Sequence, residues 1–380
     1  MQEKARMKIP ILDLSVQHQQ IADEIGTAVT RVLASQKFIL GPEVDELEQE
    51  IAPYCHCAHA VGCASGSDAL LLALMASGIG PGDEVITTPF SFFATVGSLV
   101  RLGAKAVFVD IDNASFNIDA TLIEGAITER TKAIMPVHLF GQCADMERIN
   151  ELAGDSNIRV IEDAAQAIGA EYRGKRAGSL GTIGCFSFYP SKNLGGAGDG
   201  GLLTTNDPEL AELLRNLRAH GARKKYYHDR VGINSRLDSL QAAILRVKFR
   251  YLDKWAQGRR ENAERYRRLF SDAGLVSNDA ITLPAETEGS LHVYNQFVLR
   301  ARERDRLKAY LGERGVGTEV YYPLPLHMQA CFKDLGYHSG DFPESERAAE
   351  EALAIPVYPE LSATAQTYVV ETIASFYRAG

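Results

Sequence analysis

No stretch of this sequence approaches the ~20 consecutive apolar residues that a membrane-spanning helix needs, so no membrane partner is expected. Basic charge is short as well: 40 Lys and Arg stand against 49 Asp and Glu, a net charge of −9. A general nucleic-acid binder shows a basic face, and this balance argues against one. It leaves room for an anionic small ligand, because a local site can oppose the global sign. Cysteine is sparse, six residues unpaired in pattern, which fits reduced thiols and not a disulfide-built secreted fold. The start, Met1 to Lys8, is charged and lacks the apolar core of a signal peptide. A cytoplasmic protein is therefore expected, with residues 1–6 as a leader. The cluster Cys55, His56, Cys57, His59 and Cys63 has no second half-site at zinc spacing. Packed thiols beside surface histidines are expected there, and no metal.

What the chain does have is alternation. After an extended stretch at 8–14, helical spacing covers 16–34, and Gly41-Pro42 opens a second helix. Val61 to Ala64 reads as strand and runs through Ser65-Gly66-Ser67 into a strongly apolar helix, with Ser65 and Asp68 at capping-box spacing. Strands then follow at 84–88, 106–110, 132–140, 159–162 and 184–189, separated by helices at 92–102, 119–127 and 145–153. Such a pattern predicts an α/β fold with a mostly parallel sheet between helices. Residues 207–219 read as helix, 220–236 as a basic and aromatic connection, and a long helix is expected from Asp238 past Lys248. Beyond about residue 255 the texture changes. Strands at 294–300 and 318–322 and helices at 303–314, 344–354 and 362–378 suggest a smaller α+β domain. The expected organisation is an N-terminal extension and opening strand at 1–14, a large ligand-binding domain at 15–254, and a small C-terminal domain at 255–380.

Parallel sheets bind ligands at the carboxyl ends of their strands, so the residues that follow each strand carry the functional reading. Lys192 follows 184–189 in an aromatic and glycine-rich setting; it reads alone as a solvated lysine or as an amine nucleophile. Asp163 and Gln166 follow 159–162, the run Phe90, Phe92 and Phe93 follows 84–88, and Ser65-Gly66-Ser67 presents a helix start to an anion. An imine-forming amine, an acid, an aromatic face and a phosphate cradle are together the needs of pyridoxal 5′-phosphate. Asp163 would keep the pyridine nitrogen protonated, Gln166 would reach the ring hydroxyl, and the Ser187 hydroxyl would donate to the phosphate. The letters Gly196-x-Gly198-x-x-Gly201 spell a dinucleotide fingerprint, but the strand-like Leu202-Leu203-Thr204-Thr205 follows where that fingerprint requires a helix.

The chain resembles the DegT/StrS-type nucleotide-sugar aminotransferases, which have the aspartate-aminotransferase (type I) fold. The resemblance rests on Ser65-Gly66-Ser67-Asp68-Ala69-Leu70, Glu162-Asp163-Ala164-Ala165-Gln166, Phe186 through Gly195, Gly198-Asp199-Gly200-Gly201 and Gly232 through Asp238. It implies that Lys192 holds the cofactor aldehyde and shuttles the proton. Gly66, Ser67 and Ser187 would bind phosphate, and Phe92 would stack on the ring held by Asp163 and Gln166. Asn234 would reach the phosphate in a neighbouring subunit, making a homodimer with shared sites. On the substrate side the resemblance points to Tyr189, Lys225, His228, Arg236, Tyr322 and His327, with His327 near the sugar. The run Pro190-Ser191-Lys192-Asn193-Leu194-Gly195 resembles members that aminate carbon 3. The implied reaction moves the amino group of L-glutamate to a nucleotide-linked 3-keto hexose, TDP- or UDP-linked. The alternatives are amination at carbon 4 and a non-catalytic regulator that keeps the cofactor. Gly195-Gly196-Ala197-Gly198 departs from the bulkier residue frequent in relatives, and an altered sugar fit is expected from it.

Overall fold

In the computed structural model the described residues are 7–156, 158–224, 226–277 and 280–379; the expected leader at 1–6 and Lys225 lie outside them. Strands Val- and Ile-rich on both faces cannot stay half in water, and seven of them form one buried sheet. Its spatial order is 59–63, 201–205, 183–187, 159–163, 131–134, 84–87, 105–108. Five strands from 183–187 to 105–108 run parallel, and 201–205 lies antiparallel to both of its neighbours. Six of the seven therefore end at the same edge. Strand Gly201–Thr205 also closes the dinucleotide reading, since no helix follows the glycine run.

Successive side chains of a strand point to opposite faces, and here they enter different cores. Ile86, Ile134, Val160 and Phe186 pack under helices Pro42–Tyr54, Met146–Ser156 and Ser239–Phe249. Val85, Ala133, Ile161 and Cys185 pack under helices Gly66–Ala76, Ala94–Val100 and Pro208–Leu217. Each fully buried Leu, Ile or Phe contributes about 1.5–3 kcal/mol. A second, three-stranded antiparallel sheet, 281–282, 297–301 and 352–355, carries its own core, which includes Tyr266, Phe270, Phe297 and Val369. Ile9, from the opening stretch, is buried in this second core and bridges to Val316. Helix Leu252–Asp272 runs across the boundary expected at residue 254.

Several expected elements differ. Residues 119–127 form two short 3-10 turns, because Asp119 turns back on the chain: its Oδ1 accepts from the Thr121 N–H at 2.9 Å and its hydroxyl at 2.6 Å. The long helix from Asp238 stops at Phe249 and restarts at Leu252. Residues 318–322 make a single bridge, Glu319 to Ala354, in place of a strand. The helix expected to residue 354 ends at Glu351, since Ala352-Leu353-Ala354-Ile355 is buried and pairs as a strand. Cys55, Cys57 and Cys63 are buried, and Cys57 Sγ donates to the Gly178 carbonyl at 3.1 Å. Burial pushes the Cys57 thiol up to about 11. Among the described residues no helix is long and apolar enough to cross a membrane.

Candidate active site

A cavity of about 730 Å³ opens at the common carboxyl edge of the sheet. Its floor begins at helix Gly66–Ala76. Ser65 caps this helix, its Oγ accepting from the Asp68 N–H at 3.1 Å, so the next amides are left for a ligand. Gly66 presses on the neighbouring strand: a Cβ there would meet Ser187 Cβ at 2.6 Å. Only a bare backbone lets the helix start and the Ser187 hydroxyl converge. Ser235 fastens the cradle from below, donating to Asp68 Oδ2 at 2.8 Å and accepting from the Ala64 N–H at 3.1 Å. Ser65, Gly66, Ser67, Ser187 and Ser191 all line the cavity, a donor set suited to a phosphate.

Asp163 ends strand Arg159–Asp163 and lines the cavity while only 4% exposed. Burial raises its carboxyl pKa; the Thr95 hydroxyl, donating to Oδ2 at 2.7 Å, pulls the other way, as does the Ala165 N–H at 3.3 Å from Oδ1. Behind it sits Glu162, fully buried and held by four donors. These are the N–H groups of Gly178 (2.7 Å), Leu180 (2.8 Å) and Gly181 (2.6 Å), and His138 Nε2 (3.0 Å). His138 Nδ1 accepts from the Ala144 N–H, so the ring proton sits on Nε2, facing the carboxylate. The His138 N–H in turn donates to the Asp163 carbonyl at 2.9 Å. The acid is thus gripped through its backbone as well as its side chain.

Lys192 follows strand Ile183–Ser187, and its N–H donates to the Tyr189 carbonyl at 2.8 Å. Burial lowers its amine to about 8, and the Asp163 charge only partly opposes this. Its neighbour Asn193 ties the loop to the C-terminal half of the chain: Nδ2 donates to the Val293 carbonyl at 3.0 Å and Oδ1 accepts from Asn295 Nδ2 at 2.9 Å. Gln166 is oriented by the Phe140 N–H, which donates to Oε1 at 2.7 Å, leaving its amide nitrogen 3.4 Å from the Tyr322 hydroxyl. Burial raises the Tyr322 phenol well above its ordinary value. Phe92 lines the cavity with its ring 58% exposed, a face free for stacking in this chain, and Tyr189 and Tyr322 complete the walls.

The cavity collects Lys192, Asp163, Gln166, Gly66, Ser67, Ser187, Phe92, Tyr189 and Tyr322. Among the described residues it does not collect His327, His228, Arg236 or Asn234. His327 is turned inward by the 3-10 turn after Pro325. It is 2% exposed, with Nε2 3.1 Å from Glu346 Oε1 and its ring against Phe342, outside the cavity lining. His228 lies on the exposed strand Tyr227–His228, and Arg236 and Asn234 lie outside the lining. Asn234 is exposed and bridges Ala219. The departure at 195–198 is absorbed away from the cavity: Cβ atoms at Gly196 and Gly198 would meet Gln241, whose Oε1 accepts from the Ala197 N–H at 2.8 Å. The reading from sequence missed Ser91, Thr95, Asp199, Gln296, Glu319 and Tyr321. A hydroxyl one turn beyond the Phe92-Phe93 pair was a signal available for Thr95.

These groups fit pyridoxal 5′-phosphate: an amine near neutrality, an acid buried beside it, an exposed ring, and a cradle that an extra methyl would fill. The sequence pattern of the DegT/DnrJ/EryC1/StrS aminotransferase family matches residues 19–374. A pleiotropic regulatory protein of Geobacillus stearothermophilus is 55% identical, the match covering 98% of this chain and 99% of that protein. A UDP-N-acetyl-3-dehydro-α-D-glucosamine 3-aminotransferase of Acidithiobacillus ferrooxidans is 47% identical over 93% of this chain and 94% of its own. The crystal structure of Streptomyces venezuelae DesV in complex with a ketimine intermediate superposes with a TM-score of 0.93. It is 42% identical and covers 97% of this chain and 98% of that one.

Proposed function

Because the chain belongs to the DegT/DnrJ/EryC1/StrS aminotransferase family, whose members depend on pyridoxal phosphate, we propose that it transfers the amino group of L-glutamate to carbon 3 of a nucleotide-linked keto hexose. The acceptor is a dTDP-linked 3-keto-6-deoxyhexose or a UDP-linked 3-keto N-acetyl sugar. The observation that carries this reading is Lys192 lowered to about 8 in one cavity with Asp163 and the Gly66 cradle. The 3-amino-sugar names among its relatives support the position of attack.

When bound, the cofactor supplies an aldehyde that receives the amino group and a ring that draws off the charge released at the donor's α-carbon. Lys192 Nζ would hold that aldehyde and carry the proton at the α-carbon. Asp163 would keep the pyridine nitrogen protonated, and Gln166 would serve the ring hydroxyl. The Gly66 and Ser67 amides and the Ser187 hydroxyl would hold the phosphate, and Phe92 would stack on the ring. Tyr189 and Tyr322 flank the reacting amino acid and sugar. The working unit is a homodimer: Asn234 reaches the phosphate of the neighbouring subunit's site, and Lys225, His228 and Arg236 meet the substrate from across the boundary. Residues 15–254 serve as the cofactor-binding domain and 255–380 as the smaller one.

Purified protein loaded with pyridoxal phosphate is expected to lose its visible band on adding L-glutamate and recover it with a nucleotide-linked 3-keto sugar. Lys192→Ala is expected to abolish turnover. Recovery with 4-keto sugars alone would move the reaction to carbon 4, and no bleaching by glutamate would overturn the aminotransferase reading.

A further inference from the structure

Burial drives a carboxylate toward its neutral form, and a neutral Asp163 would be the wrong partner for a protonated pyridine nitrogen. Two hydroxyls from one segment stand behind it. Thr95, fully buried in helix Ala94–Val100, donates from Oγ1 to Asp163 Oδ2 at 2.7 Å. Ser91, 3% exposed, places its Oγ 2.7 Å from Thr95 Oγ1. Each hydroxyl has one proton to give, and an ionised carboxylate only accepts. The Thr95 proton is therefore committed to Asp163, and Ser91 donates to Thr95. The two form a one-way chain of donors that ends on the acid. The other close donor, the Ala165 N–H, is long at 3.3 Å and reaches the opposite oxygen. Lys192, His138, Cys185 and Tyr322 face the same carboxylate without a hydrogen bond of that quality.

We propose that Thr95, backed by Ser91, is a positioning residue that orients the Asp163 carboxylate and holds it as an acceptor before the cofactor arrives. It rests on the reading of Asp163 as the partner of the pyridine nitrogen. A helix in the chain thereby sets the electrostatics of a residue at the end of a strand 68 positions away. A hydrogen bond to a charged group is strong enough that its loss changes proton affinity about tenfold to a hundredfold.

The test follows the Asp163 carboxyl carbon by 13C NMR in the cofactor-free full chain, with the signal assigned through Asp163→Asn. Thr95→Val keeps the branched shape and removes the O–H. Its titration midpoint is expected to rise by about one to two pH units. Thr95→Ser should restore the parent midpoint, and Ser91→Ala should give a smaller rise in the same direction. A Thr95→Val curve that overlays the parent's overturns the proposal. If Thr95→Val fails to fold, Ser91→Ala carries the test, and an unchanged midpoint there overturns it. The outcomes separate from the functional reading: a parent chain that takes up no pyridoxal phosphate sinks that reading, while the midpoint in the cofactor-free chain still decides the role of Thr95.

Discussion

At Lys192 a side chain that is ordinarily charged is held closer to neutral. Its amine sits at about 8, against roughly 10.4 for a free lysine, and burial is the main cause. A lowered amine loses its proton as pH rises through about 8, so the nucleophilic form grows up to that point and then saturates. Capture of pyridoxal phosphate by the cofactor-free protein should accelerate about tenfold per pH unit below the midpoint and level off above it. Stopped-flow absorbance reads this directly; a climb continuing to about pH 10 would mark an ordinary lysine. At this scale the sequence was most informative where chemistry lies in short contiguous runs. Asp163 and Gln166 are three apart, and Ser187 and Lys192 share one strand end, so period and turn signals sufficed to place them. Thr95 was hidden because its partner is distant in the chain. The burial of His327 was not legible because nothing in the run 323–327 told which side faced in, and packing against Phe342 decided it.

Elements supply what single residues cannot: a fixed edge. Six strands end together, and the helix starting at Gly66 meets the end of strand Ile183–Ser187 too closely to admit a Cβ. Gly66→Ala should therefore push the helix start away from Ser187 and weaken cofactor binding by tenfold or more, since the 2.6 Å contact cannot be relieved by a flexible tip. Equilibrium dialysis of pyridoxal phosphate checks this, and parent-like affinity would count against the cradle. The parallel sheet was legible because buried strands write themselves as Val- and Ile-rich runs at regular intervals. Segments whose conformation depends on tertiary partners were not. Asp119 turned a helical-looking run into two short turns, and burial between Phe297–Ala301 and the core converted the tail of a helix into strand Ala352–Ile355.

At the scale of the whole molecule, two features of one chain bear on the proposed dimer. Phe92 shows an open ring, while Asn234 is exposed away from the cavity lining. In the proposed dimer these features meet. Mixing Lys192→Ala chains with Asn234→Ala chains should recover activity of about a quarter of the parent's, the share expected if random exchange leaves half the molecules mixed and each mixed dimer has one intact site. Steady-state rates after mild dissociation and reassociation measure it, and no recovery despite demonstrated exchange would confine the site to one chain.

The cavity wall formed by Gln296 and Glu319 to Tyr322 comes from the far end of the chain, while its floor comes from residues 65–199. Side-chain bonds that join the two stretches near the cavity include Gln166 to Tyr322 and Asn193 to Val293 and Asn295. The 296 and 319–322 segments thus bring a separately encoded wall to a cavity whose candidate cofactor groups come from 65–199. Swapping the 296 and 319–322 segments between homologues should retarget the acceptor while the coenzyme chemistry is inherited intact.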